Sequence, residues 1–137
     1  MMLVLSGCSQ KTPFEVLADG TCSSQQAKLV EAHISSQIDA IAKKEWKLAY
    51  SLASPEFRSG VGIDQFIFII GIQYGMLVGN QGYAFNACTI ANEKINQQVT
   101  VTSNGQVTNL NYILSAQGET LGVDSAASSD TGPSLEA

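Results

Sequence analysis

The sequence predicts an α+β domain in which a helical half precedes an antiparallel sheet. Three observations predict it. Apolar residues recur at three- and four-residue spacing from Ala27 to Ile41. The pattern changes to strict alternation from Ile95 to Val101. Asn104-Gly105 then stands between two alternating runs whose large side chains match across a two-residue turn.

The helical half opens at Ser23-Ser24-Gln25-Gln26, a capping box in which Ser23 accepts from the helix while Gln26 reaches back. Ala27, Val30, Ile34, Ile38 and Ile41 form its apolar stripe, with Lys28, Glu31, Ser35 and Asp39 largely off it. Lys43 and Lys44 suit the helix end, where a cation complements the dipole. A shorter helix carries Trp46, Ala49, Tyr50 and Ala53, and Ser54-Pro55 stops it because a residue before proline avoids the helical region. Glu56, Phe57 and Arg58 are expected as a turn.

The stretch from Trp46 to Leu77 holds six of the ten aromatic residues and is the expected core. Its run Phe66 to Ile72 fits a buried strand or a buried helix by periodicity alone. A third helix is expected because the apolar run continues to Val78, longer than a typical strand, and because the family resemblance given below implies it. It is too short to cross a bilayer, which needs about 20 apolar residues.

After Gly79-Asn80-Gln81-Gly82 four strands are expected, near residues 82–91, 94–103, 106–116 and 119–125. The Asn104-Gly105 turn pairs Val99 with Leu110, Gln97 with Tyr112 and Ile95 with Leu114, gathering the large side chains on one face. A turn at Gln117-Gly118 sets Leu121 beside Leu114 and Val123 beside Tyr112. The first hairpin stays open. A two-residue Asn92-Glu93 loop puts Cys88 and Ile90 on the core face, one residue more puts Tyr83 and Phe85 there, and a bulge serves both.

Composition excludes some functions. Twelve acidic residues against seven basic ones, a net charge of -5, leave no basic field for a nucleic-acid backbone. There is no CxxC, and a lone His33 gives no zinc site, so neither metal nor other cofactor is expected. His33 reads as a structural histidine.

Leu5-Ser6-Gly7-Cys8 resembles the bacterial lipobox. The resemblance implies cleavage between Gly7 and Cys8, a diacylglyceryl thioether on Cys8, and an exported chain held at the cell membrane. Two or more acyl chains hold a protein stably, each buried methylene being worth ~0.8 kcal/mol. Only seven residues precede Cys8 and none is basic, shorter than a signal peptide, so the leader reads as truncated. With Cys8 taken by lipid, Cys22 and Cys88 remain as an even pair in an oxidising setting and are expected to be bridged; the alternative is two buried thiols. The expected organisation is a truncated signal peptide at 1–7, a lipid-anchored tether at 8–22, the domain at 23–125 and a disordered tail at 126–137. Phe14, Val16 and Leu17 are the tether's apolar exception, able to dock.

Glu45-Trp46, the run Ala49-Tyr50-Ser51-Leu52-Ala53-Ser54-Pro55 with Arg58, then Phe66 and Gly71-x-x-Tyr74-x-Met76-Leu77 resemble an uncharacterised bacterial domain-of-unknown-function family of the nuclear transport factor 2-like superfamily. The resemblance implies a cone, three N-terminal helices packed into a curved four-stranded antiparallel sheet, and it implies no assigned activity. Leu121-Gly122-Val123-Asp124 departs from the tryptophan-bearing end of the pattern. Some enzymes built on such a cone, ketosteroid isomerase among them, place a carboxyl and a tyrosine in an apolar pocket. Asp39, Asp64, Tyr50, Tyr74 and Tyr112 are the residues to weigh, but Asp39 reads as a solvated helix residue and Asp64 as a helix-start residue, so no catalytic residue is assigned. Tyr50, Phe66, Ile70, Tyr74, Val99, Leu110 and Tyr112 are expected to line any pocket. The expected function is a non-catalytic, lipid-anchored envelope protein presenting the cone to a protein or small-molecule partner. A small-molecule binder or isomerase-like enzyme is the alternative. Cones of this superfamily pair through the sheet, which allows a homodimer.

Overall fold

The structure, a computed structural model, describes residues 13–128. The lipobox with Cys8, and the tail beyond Ser128, lie outside the described residues. Helices pack on a five-stranded antiparallel open sheet of order β1-β2-β3-β4-β5.

Helix α1 (Ser24–Ala42) begins with the expected capping box: Gln26 N–H donates to Ser23 Oγ at 3.1 Å and Ser23 N–H to Gln26 Oε1 at 2.8 Å. Val30, Ile34, Ile38 and Ile41 are buried along its stripe. Helix α2 (Trp46–Ser51) is tied to α1 by His33 Nε2, which donates to the Leu52 carbonyl, and by the buried Gln37, whose Nε2 donates to the Ala49 carbonyl. Helix α2 ends at Ser51, ahead of the stop expected at Ser54-Pro55, leaving Ala53 outside it in a bridge to Val123, and Ser54-Pro55 starts another helix instead. Ser54 Oγ accepts from Phe57 N–H, and Pro55 takes the first helical position, where its missing N–H costs nothing. The turn expected at Glu56–Arg58 is therefore the short helix α3 (Pro55–Gly60).

Phe66 to Ile72 is helical, within α4 (Ile63–Gln73). The expected single helix to Val78 breaks at Tyr74, and α5 (Gly75–Val78) follows. Among the described residues, five helices thus replace the three expected.

A fifth strand also appears. Strand β1 (Gly20–Thr21) pairs with β2 (Tyr83–Ala91), and the Cys22 N–H continues the ladder by donating to the Cys88 carbonyl. Cys22 and Cys88 are joined in a disulfide, their Cα atoms 5.5 Å apart. Phe14 is buried and Gln26 Nε2 holds the Pro13 carbonyl. Residues 13–22, expected as tether, are therefore part of the domain from Pro13 on. Of the three apolar residues there, Phe14 and Leu17 pack on the core and Val16 is exposed.

The first hairpin turns at Asn92-Glu93, both at positive φ, into β3 (Lys94–Ser103). Ile90 faces Ile95 and Cys88 faces Gln97; a bulge then shifts the register, so Phe85 faces Val99 and Tyr83 faces Val101. One extra residue puts both sets on the core side, resolving the alternatives left by the sequence. The fully buried Gln97 closes the bulge, its Nε2 donating to the carbonyls of Asn86 and Ala87. Asn104-Gly105 turns β3 into β4 (Gln106–Gln117), and Val99, Gln97 and Ile95 face Leu110, Tyr112 and Leu114 as expected.

The last hairpin differs. Its turn is Gly118-Glu119, so in β5 (Thr120–Ser128) Leu121 faces Ala116, Val123 faces Leu114 and, past a bulge, Ala126 faces Tyr112. The shift of two residues keeps the same face toward the core, which is why alternation could not detect it. Residues 126–128, expected as tail, complete this strand. Its outer edge is covered in parallel by Leu52–Ser54: Val123 N–H donates to the Leu52 carbonyl and Ser54 N–H to the Val123 carbonyl.

Candidate functional site

A pocket of about 140 Å³ opens between the helical layer and the β5 side of the sheet. Its deep wall is made by buried Gln37 and Ile41 of α1, Phe66 and Ile70 of α4, Leu77 of α5 and Tyr112 of β4. Its more exposed wall carries Phe57, Ile69 and the strand Asp124–Ala126. Helical spacing places Phe66, Ile69 and Ile70 on the inner side of α4, and the break at Tyr74 lets that ring span to β5. The Tyr74 hydroxyl donates to the Ala126 carbonyl.

Of the expected lining residues, Phe66, Ile70, Tyr74 and Tyr112 meet at this pocket. Val99 and Leu110 do not; they are buried in the sheet core. Tyr50 faces elsewhere, donating to the carbonyls of Val61 at 2.5 Å and Arg58 at 3.1 Å while its ring packs on Phe66. Asp39 accepts from the Tyr83 hydroxyl at 2.8 Å, and Asp64 lies in the first turn of α4; neither lines the pocket.

The carboxylate at the pocket is Asp124, which the sequence presented only as a strand end. The β5 bulge delivers it. Lys94 Nζ donates to it at 2.8 Å and Ser115 Oγ at 3.2 Å. Burial by itself would raise its pKa, but the hydrogen bonds from Lys94, Ser54 and Ser115 and the Lys94 charge outweigh that and hold it below the usual carboxylate range. Lys94 is raised in turn, chiefly by the same hydrogen bond. Tyr112 is fully buried, and its hydroxyl has no hydrogen-bond partner. Desolvation, with smaller contributions from Tyr74 and Tyr83, pushes its pKa well up, so it stays a neutral phenol. Tyr74 is raised by burial as well.

No group of three or more metal-binding side chains occurs among the described residues, and no helix there is long and apolar enough to cross a membrane. These elements define an α+β domain with a small, largely apolar pocket between its two layers. The chain belongs to the family described as domain of unknown function DUF4864, whose model matches residues 23–127. That match brings no catalytic family with it. Comparison with curated proteins and with solved structures returned no match.

Proposed function

We propose that this chain is a non-catalytic, lipid-anchored envelope protein, built as a nuclear transport factor 2-like cone, that holds a small molecule in the pocket between its helices and sheet. The observation that carries the binding role is the pocket itself: hydrocarbon walls, room for one ring-sized molecule, and few polar groups. Helices followed by a long antiparallel sheet, with the pocket enclosed between them, support the cone. The Cys22–Cys88 disulfide supports export, since such bridges persist in oxidising compartments. Cys8, after its lipobox, is the anchor, and the membrane is reached through its lipid.

The isomerase-like alternative draws on one observation, Asp124 at the pocket. A general base works best with a pKa near the operating pH. Asp124 is held well below that and engaged by Lys94, Ser54 and Ser115, which favours binding over proton transfer.

Methyl NMR of the full chain titrated with benzene and with cyclohexanone tests the binding role. Shifts at Ile69, Ile70, Leu77 and Val123 are expected with at least one probe. Unmoved pocket methyls with both probes overturn it. Intact mass from the native host tests the anchor: a mature chain beginning at acylated Cys8 is expected, and an unlipidated start upstream of Cys8 refutes it.

A further inference from the structure

Helix α4 is apolar on every side. Phe66 and Ile70 are buried at the pocket, Ile67 and Ile69 are half-buried on the flanks, and Phe68 and Ile72 project from the outer side, each 68% exposed. A helix of that pattern is normally enclosed. Phe68 and Ile72 stand four residues apart, one turn, so they form a single ridge rather than two scattered side chains. Gly71 lies on the same side, and a Cβ there would meet nothing within 4 Å. A glycine weakens a helix interior, and nothing among the described residues occupies the space it leaves.

Charge and size restrict what covers the ridge. Asp64, in the first turn, is the only charged residue of α4, and the sequence from Gln65 to Asn92 carries none. No cation on the helix draws it to an anionic surface, and beyond Asp64 no charge has to leave water when the ridge enters hydrocarbon. Two side chains fall far short of a stable dimer, which buries roughly 1,200 Å² or more in total. They are too few to hold a bilayer unaided as well, and the anchor supplies the difference. From Pro13, the first described residue, to Cys8 is five peptide steps, about 18 Å at full stretch. A lipid on Cys8 makes contact between the ridge and the bilayer an intramolecular event at high effective concentration.

Resting on the lipid anchor proposed above, we infer that Phe68 and Ile72 are a membrane-contact ridge, seated in the interfacial zone of the bilayer that holds Cys8 and satisfied by zwitterionic lipid alone. Ile69 and Ile70 line the pocket from the same helix, so α4 stands as the partition between lipid and pocket.

The test places the acylated chain, purified from its native host, on phosphatidylcholine nanodiscs doped with doxyl-labelled phosphatidylcholine and reads methyl relaxation. The Ile72 methyl should relax several-fold faster than those of Val107, an apolar β4 residue 57% exposed. In the double variant Phe68→Ser/Ile72→Ser, the enhancement at Ile67 and Ile69 should fall to the Val107 level with the lipid still attached. The wild-type comparison stands whether or not the variant folds. Equal relaxation of Ile72 and Val107 in the disc-bound wild type, or enhancement at Ile67 and Ile69 that survives in the variant, overturns the ridge and leaves the anchor intact. An Ile72 shift that follows protein concentration without lipid assigns the ridge to a second copy and overturns the inference. An intact mass without lipid on Cys8 removes the anchor and this inference with it.

Discussion

Gly122 and Ser54 pass so closely that a Cβ on the glycine would lie 2.5 Å from the Ser54 Cα. The contact is backbone to backbone, so no side chain can yield. It lets the chain between α2 and α3 run along β5, where Ala53 bridges Val123 in parallel. The edge of β5 is thereby covered around Val123.

Gly122→Ala is therefore expected to push the Leu52–Ser54 segment off β5 and to destabilise the domain by about 1–3 kcal/mol, the range for overpacking. Urea unfolding measures the loss. Amide exchange at Ser54 and Val123 should accelerate beyond the global change, since those N–H groups bond across the contact.

Removing the Cys22–Cys88 disulfide by a double substitution to serine should cost about 4 kcal/mol in the chain-entropy model for a separation of 66 residues. Denaturant unfolding of the variant against the oxidised wild type gives the number. The first amides to lose protection should be those of Thr21 and Cys22, at the short edge strand.

Gln97→Leu removes the amide that bonds the Asn86 and Ala87 carbonyls inside the β2 bulge. A loss of about 1–3 kcal/mol is expected, the cost of leaving buried polar groups unpaired. A melting curve tests this, and a stability equal to wild type would mean that the bulge needs no internal clasp.

Asp124 supplies an acid-side dependence. Its folded pKa lies below its unfolded value, so its stabilisation is complete above the unfolded carboxylate value and is lost as pH falls through the lowered native one. Acid unfolding below about pH 4 should be shallower in Asp124→Asn, with the wild-type and variant curves converging at the lowest pH. Lys94 has the opposite sense: its raised folded value gives stabilisation that persists at neutral pH and fades as pH rises through that value.

Most of the scaffold was legible. The capping box at Ser23 and the Asn104-Gly105 turn are local chemistry, and the 99–110, 97–112 and 95–114 pairings followed from one turn. Phe66–Ile72 was legible as helix through its length together with the family resemblance. What stayed hidden depends on distant partners. Gly20-Thr21 carries no strand signal of its own and pairs because the neighbouring Cys22 is bonded to Cys88. The two-residue shift of the last hairpin leaves no mark on alternation, because it preserves the face, and the single extra residue that displaces Asp124 comes only after it. The pocket was legible in Phe66, Ile70, Tyr74 and Tyr112. Val99 and Leu110 share the Tyr112 face but lie farther along the ladder, and alternation says which side a residue takes, not how far from the helices it ends up.

Seating of Phe14, with Gln26 grasping Pro13, holds Pro13 beside the start of α1. From Pro13 back to Cys8 is five peptide steps, at most about 18 Å when stretched. An attachment at Cys8 would thus confine the whole domain to pivoting within a small radius, hugging whatever surface holds it, and molecules bound between its layers would be exchanged next to that surface.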